Sequence, residues 1–335
     1  MTVSDYANDE DCIDFDKKEN YYILRFKRYA IPSFTYVKRL IIIFKHLTTI
    51  NYSHCILSGK SALYLSIFIH LIKREISLIG ILHGSELLQK NPIMKAIVRK
   101  SLRKLDKIIS VSKYTDSILP INATKNKKRF IIPNGVNTNL INITNSGENQ
   151  IRLTGSPRLL TVGSITDRKG QKNLIKALPL ILNKYPQAHY HCVGLPINAD
   201  EVLDLAERLN VNTHVSIHGF IPNHHLGSIY KQADILIMLS HNNRETSTEG
   251  FGIAILEANL FGTPALGSIN TGIEDAIAHD NTGFLVSPFS DTEILNGIDL
   301  VLQKKENLSR NAVKWANKHS WENVSNRYIH TILDA

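Results

Sequence analysis

Short apolar runs alternate with helix-length patterns along almost the whole of this chain, and that alternation leaves few folds open. Residues 54–57, 78–82, 107–111 and 129–132 read as strands in the first half, with helical patterns at 62–74, 92–105 and 114–119. In the second half strands are expected at 158–162, 189–193, 214–217, 234–239 and 284–286, and helices at 171–185, 200–209, 253–261 and 292–303. Strand and helix in regular succession imply parallel sheets with helices on both faces, a doubly wound α/β architecture. At 335 residues the chain is too long for one ordinary core and suits two such units. Residues 139–157 are polar, rich in Asn, Ser, Thr and Gly, and aperiodic, so the boundary is expected near residue 150.

The 43% hydrophobic and 21% charged residues are those of a soluble globular protein. No apolar run approaches the roughly 18 residues of a membrane span. The longest, 62–72, has eleven and contains His70. The acidic, polar beginning (Asp5, Asp9, Glu10, Asp11) does not resemble a secretory leader, so a cytoplasmic location is expected. Cys12, Cys55 and Cys192 lack metal-ligand spacing and an even count, which argues against zinc and a disulfide framework.

A net charge of +9 has three candidate causes: nucleic acid, an anionic membrane surface, or a pocket for phosphorylated substrates. No interleaved aromatic–basic motif or zinc-finger spacing supports nucleic acid. The charge is densest in 90–107, where Lys95, Arg99, Lys100, Arg103, Lys104 and Lys107 interleave with Ile93, Met94, Ile97, Val98, Leu102 and Leu105. Such a helix either buries its apolar side in a domain or lies on anionic lipid, at the inner face of the plasma membrane.

The segment most suggestive of chemistry is Glu249-Gly250-Phe251-Gly252-Ile253, followed by Glu257. Two carboxylates eight positions apart flank a Gly-Phe-Gly turn, and Ile253, Leu256 and Leu260 repeat at three and four as one buried helical face. A helix beginning at Gly252 aims free N–H groups at an anion. That suits a ligand with a phosphate in the middle and hydroxyls at both ends, as in a nucleotide-sugar. The plainer reading is an acidic helix start and one solvated glutamate.

Gly163-Ser164 through Arg168-Lys169-Gly170 forms a strand–loop–helix junction with a basic pair, suited to clamping a diphosphate. His83-Gly84-Ser85-Glu86 follows a strongly apolar strand, at the kind of carboxyl end where α/β folds place ligands. Ser112 follows another strand and is a candidate for the cleft wall, whereas Pro133-Asn134-Gly135 reads as turn chemistry. Ser58-Gly59-Lys60-Ser61 looks like the end of a P-loop, but His54 stands where its first glycine belongs. The matches Asp9-Glu-Asp11 and Asp14-Phe-Asp16 lie in the polar beginning, away from any strand end, and are not read as a metal site.

The Glu249–Glu257 segment resembles the E-x7-E signature of the retaining glycosyltransferases of family 4. Residues 270–277 and 281–286 resemble the segment that follows it, and the likeness covers residues 52–333. It implies the GT-B fold, two Rossmann-like domains facing a central cleft. These would be an acceptor-side domain at 1–150, a donor domain at 151–318 and a final helix at 319–335 crossing back. That tail carries Trp321 and Tyr328 at helical spacing.

The resemblance implies hexosyl transfer, with retention, from a nucleoside diphosphate sugar to a glycan or lipid-linked hydroxyl. It makes Glu249, Lys169 and His83 catalytic. Glu257, Gly250, Phe251, Gly252, Ile253, Gly163, Ser164 and Arg168 would hold the donor, Phe220 and Ile221 would meet its base, and Gly84, Glu86 and Ser112 would face the acceptor. No cofactor or metal is expected. Two departures stand out: Ser164 replaces the first of two clamp cations, and residues 1–50 contain no glycine, so the first βαβ unit looks reduced. The rival readings are a non-catalytic or truncated GT-B partner protein, a sugar-nucleotide epimerase and a nucleic-acid binder.

Overall fold

The computed structural model describes residues 2–6, 12–13, 16–27, 32–143, 151–242 and 248–334. Within these, every sheet is parallel. Strands β1 (Thr2–Tyr6) and β2 (Ile23–Lys27) pair with each other. Strands β3 (His54–Ser58), β4 (Ser77–Leu82), β5 (Lys107–Ser110) and β6 (Lys128–Ile131) lie in the order β3-β4-β5-β6. Six further strands form the second large sheet: β7 (Arg158–Val162), β8 (His189–Val193), β9 (Val215–Ile217), β10 (Ile235–Met238), β11 (Ala265–Ser268) and β12 (Gly283–Val286). Their order is β12-β11-β10-β7-β8-β9. The chain therefore winds outward from β7 in both directions, and the crevice at the reversal opens at the carboxyl ends of β7 and β10.

Burial on both faces explains the sequence pattern. β5, β10 and β11 are buried at every position, and in β10 this gives a continuous apolar run, Ile-Leu-Ile-Met, rather than alternation. The Pro92–Lys104 helix starts with Asn91, whose Oδ1 accepts from the Ile93 N–H at 2.8 Å. It buries Val98, Ser101 and Leu102, packs beside the Lys60–Ile72 helix, and leaves Lys95, Arg99, Lys100 and Arg103 exposed. Lys107 departs from that basic face. It is buried, and its Nζ donates to the carbonyls of Thr331 at 2.9 Å and Ile332 at 3.1 Å.

Those carbonyls end the Trp321–Leu333 helix, where a cation suits the dipole. The helix packs Val324, Tyr328 and Ile332 against Ile79, Ile109 and Ile132 of the four-stranded region. Trp321 covers Gly135 so closely that a Cβ there would lie 2.5 Å from the indole. Residues 151–153 associate instead with the second sheet's core, where the Leu153 N–H donates to Gln232 Oε1 at 3.0 Å. No helix among the described residues is long and apolar enough to cross a membrane.

Candidate active site

The carboxyl ends of β4, β5, β7 and β10 converge on a cavity of about 380 Å³, within the size range of small-molecule sites. Its wall includes His83, Asn134, Gly163, Lys169, Glu249, Gly250, Phe251, Gly252, Ile253 and Glu257.

Two turns shape the side of the cavity formed by the six-stranded sheet. After β7 the chain makes a one-turn 3-10 helix at Asp167–Lys169, then Gly170 at φ +79° leads into the Gln171–Lys184 helix. Gly170 has two reasons to be glycine: the left-handed backbone, and a Cβ position only 1.9 Å from the Leu239 carbonyl oxygen. This contact fixes the basic turn against the end of β10. After β10, residues 248–252 lead into the Ile253–Leu260 helix with Gly252 at its N-cap. Ser247 lies outside the described residues.

Arg168 and Lys169 both reach Glu249. Lys169 Nζ lies 2.7 Å from Glu249 Oε2, and Arg168 Nη1 bonds the same oxygen. Glu249 is only 9% exposed. Burial pushes its carboxyl up, but the charges and hydrogen bonds of Lys169 and Arg168 outweigh that and hold it below the ordinary glutamate value. Its backbone is pinned as well. The Glu249 N–H donates to Asn242 Oδ1 at 3.2 Å, and its carbonyl accepts from the Gly272 N–H at 2.9 Å.

Glu257 sits on the second turn of its helix and accepts from the buried Tyr230 hydroxyl at 2.7 Å. Burial raises its carboxyl, and this hydrogen bond offsets only part of the rise. On the opposite wall, His83 Nε2 lies 2.9 Å from Ser58 Oγ. The two halves touch through backbone: a Cβ on Gly250 would lie 2.0 Å from the His83 carbonyl oxygen. Beside this contact the Asp275 carboxylate accepts from the Lys113 N–H.

Several expected residues stand elsewhere. Glu86 is buried, and both its oxygens accept from the His83 N–H, at 3.1 and 3.2 Å. It therefore braces the His83 turn from within and does not line the cavity. Ser112 is also buried, capping the Lys113–Ser117 helix through the Thr115 N–H, and does not line the cavity. Gly84 packs under Thr248, and Ser164 contributes a carbonyl to Gln171 Nε2 at 3.2 Å. Phe220 is 65% exposed, Ile221 is buried, and neither lines the cavity.

Sequence reasoning overlooked Tyr230, Ser58, Asn242 and the cavity-lining Asn134. Two carried a signal: Asn134 in the Pro-Asn-Gly turn after β6, and Ser58 at the head of the Ser58–Ser61 turn set aside as an incomplete P-loop. Of the Asp-x-Asp matches, Asp9, Asp11 and Asp14 lie outside the described residues, and Asp16 pairs with Arg25 at 2.6 Å. Among the described residues no three His, Cys, Asp or Glu side chains are placed to hold a metal ion.

Comparison with known proteins identifies the family and the fold. The family model for the group 1 glycosyl transferases matches residues 145–319, about half of the chain. An uncharacterized glycosyltransferase of Methanocaldococcus jannaschii is 32% identical over 234 residues, 66% of this chain and 58% of that protein. A GDP-mannose-dependent alpha-(1-6)-phosphatidylinositol monomannoside mannosyltransferase of Mycobacterium tuberculosis is 24% identical over 62% of this chain and 55% of that one. The chain thus spans little more than half the length of these curated relatives. Among solved structures, sucrose-phosphate synthase of Thermosynechococcus elongatus superposes with a TM-score of 0.75 at 20% identity, over 92% of this chain and 82% of that one. Two parallel α/β sheets, a cleft at their strand ends and these matches lead to one conclusion: the chain belongs to the group 1 glycosyl transferases and has their GT-B fold.

Proposed function

We propose that the protein transfers a hexosyl group from a nucleoside diphosphate sugar to a hydroxyl of a glycan or lipid-linked acceptor, with retention, in cell-surface polysaccharide or glycolipid synthesis. The observation that carries this reading is the set of charges lining one cavity. Glu257, which accepts from Tyr230, and the Lys169–Glu249 ion pair face the same space. Glu257 accepts the two ribose hydroxyls, Lys169 and Arg168 neutralise the diphosphate with the amides at the start of the Ile253–Leu260 helix, and Glu249 orients the hexose hydroxyls.

The acceptor enters from the His83 side. Catalysis is positioning and stabilisation of leaving-group charge, with the leaving phosphate helping to deprotonate the acceptor. The two cations take the neutralising role, so the reading calls on no metal. The exposed basic face of the Pro92–Lys104 helix suits an anionic membrane surface beside a lipid-linked acceptor. The phosphatidylinositol monomannoside in the mycobacterial relative's name supports that choice.

The test is a thermal-shift panel of UDP-, GDP- and ADP-sugars, followed by transfer assays with the donor it identifies. A ligand of the native state raises its apparent stability. The reading expects one base to be selected, K169M to slow transfer by ~10²-fold, and the product to keep the donor's anomeric configuration. Wild-type transfer rates in K169M, or no shift with any nucleotide, would overturn it.

A further inference from the structure

Arg168 and Lys169 spend their charge on the same oxygen of a nearly buried carboxylate, and the elements carrying all three residues are held rigidly. Glu249 is fixed at its N–H by Asn242 and at its carbonyl by Gly272. Asn242 is itself tied through its Nδ2 to the Asn270 carbonyl at 2.6 Å. The basic turn is fixed by Gly170 beneath Leu239. Side-chain rotation is therefore the available movement, and the two cations cannot serve Glu249 and a diphosphate fully at once.

We infer that Glu249 is a built-in competitor of the donor diphosphate: binding of the donor draws Arg168 and Lys169 from the carboxylate to the phosphates, and the freed carboxylate takes the sugar hydroxyls. This rests on the donor reading above and adds a specificity rule to it. A buried carboxylate stripped of its cations is costly unless new donors replace them. A sugar-bearing nucleotide supplies those donors as hydroxyls. A bare nucleoside diphosphate does not, so the site disfavours it, and Glu249 recapturing the cations expels that product after transfer. One side chain thereby couples recognition of the sugar to release of the leaving group.

The experiment is isothermal titration of wild type and E249Q with UDP and GDP and with the matching nucleotide-sugars. E249Q keeps the side chain's shape and one acceptor oxygen, replaces the other by an NH2 donor, and removes the charge that claims the cations. It is expected to bind the nucleoside diphosphate about 10-fold tighter than wild type, as removal of a close competing charge predicts. It should bind the nucleotide-sugar no tighter, so the preference for the sugar-bearing ligand shrinks. Steady-state transfer by E249Q should show correspondingly stronger inhibition by the nucleoside diphosphate.

Equal or weaker binding of the nucleoside diphosphate by E249Q, with wild type binding normally, overturns the inference and leaves the donor reading intact. Absence of binding to wild type removes both. If E249Q does not melt cooperatively, E249D serves in its place, because a carboxylate drawn back by one methylene loses contact with at least one cation. Its expected gain is about 3-fold, and no gain there is equally decisive.

Discussion

Replacing Gly250 with alanine tests how closely the two halves must approach for the site to work. The added methyl carbon would sit 2.0 Å from the His83 carbonyl oxygen and 3.6 Å from Val111 Cγ2. The first neighbour is backbone at the end of β4, which cannot rotate away. Restoring ordinary contact requires the Gly250 segment and the His83 turn to separate by about 1.2 Å or more, an overpacking cost of about 1–3 kcal/mol. The same displacement acts on chemistry, because His83 and Glu249 flank the contact and a misplacement of about 1 Å costs on the order of 10²-fold in rate. Lys169, Arg168 and Glu257 are carried by other elements, the turn after β7 and the Ile253–Leu260 helix. We therefore expect G250A to lose about 10²-fold in kcat/KM while its affinity for the selected nucleoside diphosphate changes less than about 3-fold. Transfer kinetics and titration calorimetry on one preparation give both numbers. A rate within about 3-fold of wild type would refute the argument that this backbone contact sets the reacting geometry.

Three further outcomes follow from the charges. Glu257 must be ionised to accept two hydroxyls, and burial has raised its carboxyl, so donor affinity should fall as pH drops through that raised value. Y230F, which removes a hydrogen bond to the ionised form, should move that fall to higher pH, as affinity measured against pH will show. Asp234 is raised by burial but lowered overall to about 2 by Arg158 and Lys305. Because its folded value lies below the unfolded one, its stabilisation is present above about pH 3.9 and is lost as pH falls towards the folded value. D234N should cost about 1–2 kcal/mol at pH 7, discounted because its cationic partners are partly solvated, and the deficit in urea unfolding should shrink towards pH 2.5. K107M removes the cation at the end of the Trp321–Leu333 helix and should speed amide exchange in that helix's last turn while sparing β5.

The strand ends were legible where a parallel strand buried on both faces leaves a continuous apolar run, as at 78–82. β11 escaped notice because Ala-Leu-Gly-Ser has no β-branched residue and too little apolar length to register. The Asn223–Gln232 and Lys305–Lys318 helices were missed because polar and charged side chains mask their apolar repeats. At the site, Glu249, Glu257 and Lys169 could be picked out from local spacing and neighbouring glycines. The partners Tyr230, Asn242 and Ser58 could not be assigned, since each acts across a gap that only the fold closes: 27 residues to Glu257, seven to Glu249 and 25 to His83. Ser112 and Glu86 were mislocated for a related reason. A polar residue after a strand can face the cleft or turn inward to satisfy backbone N–H groups, and these two turn inward.

The central claim is that Glu257 grips the ribose of a nucleotide whose diphosphate lies on Lys169 and Arg168. Titration of wild type and E257Q with the selected nucleoside diphosphate and with its 2′,3′-dideoxy form tests it most directly. Removing the ribose hydroxyls should weaken binding to wild type by about 10-fold or more and leave binding to E257Q nearly unchanged, since the contact is already lost. Equal losses in the two proteins would show that the hydroxyls are held elsewhere and would contradict the orientation proposed for the donor.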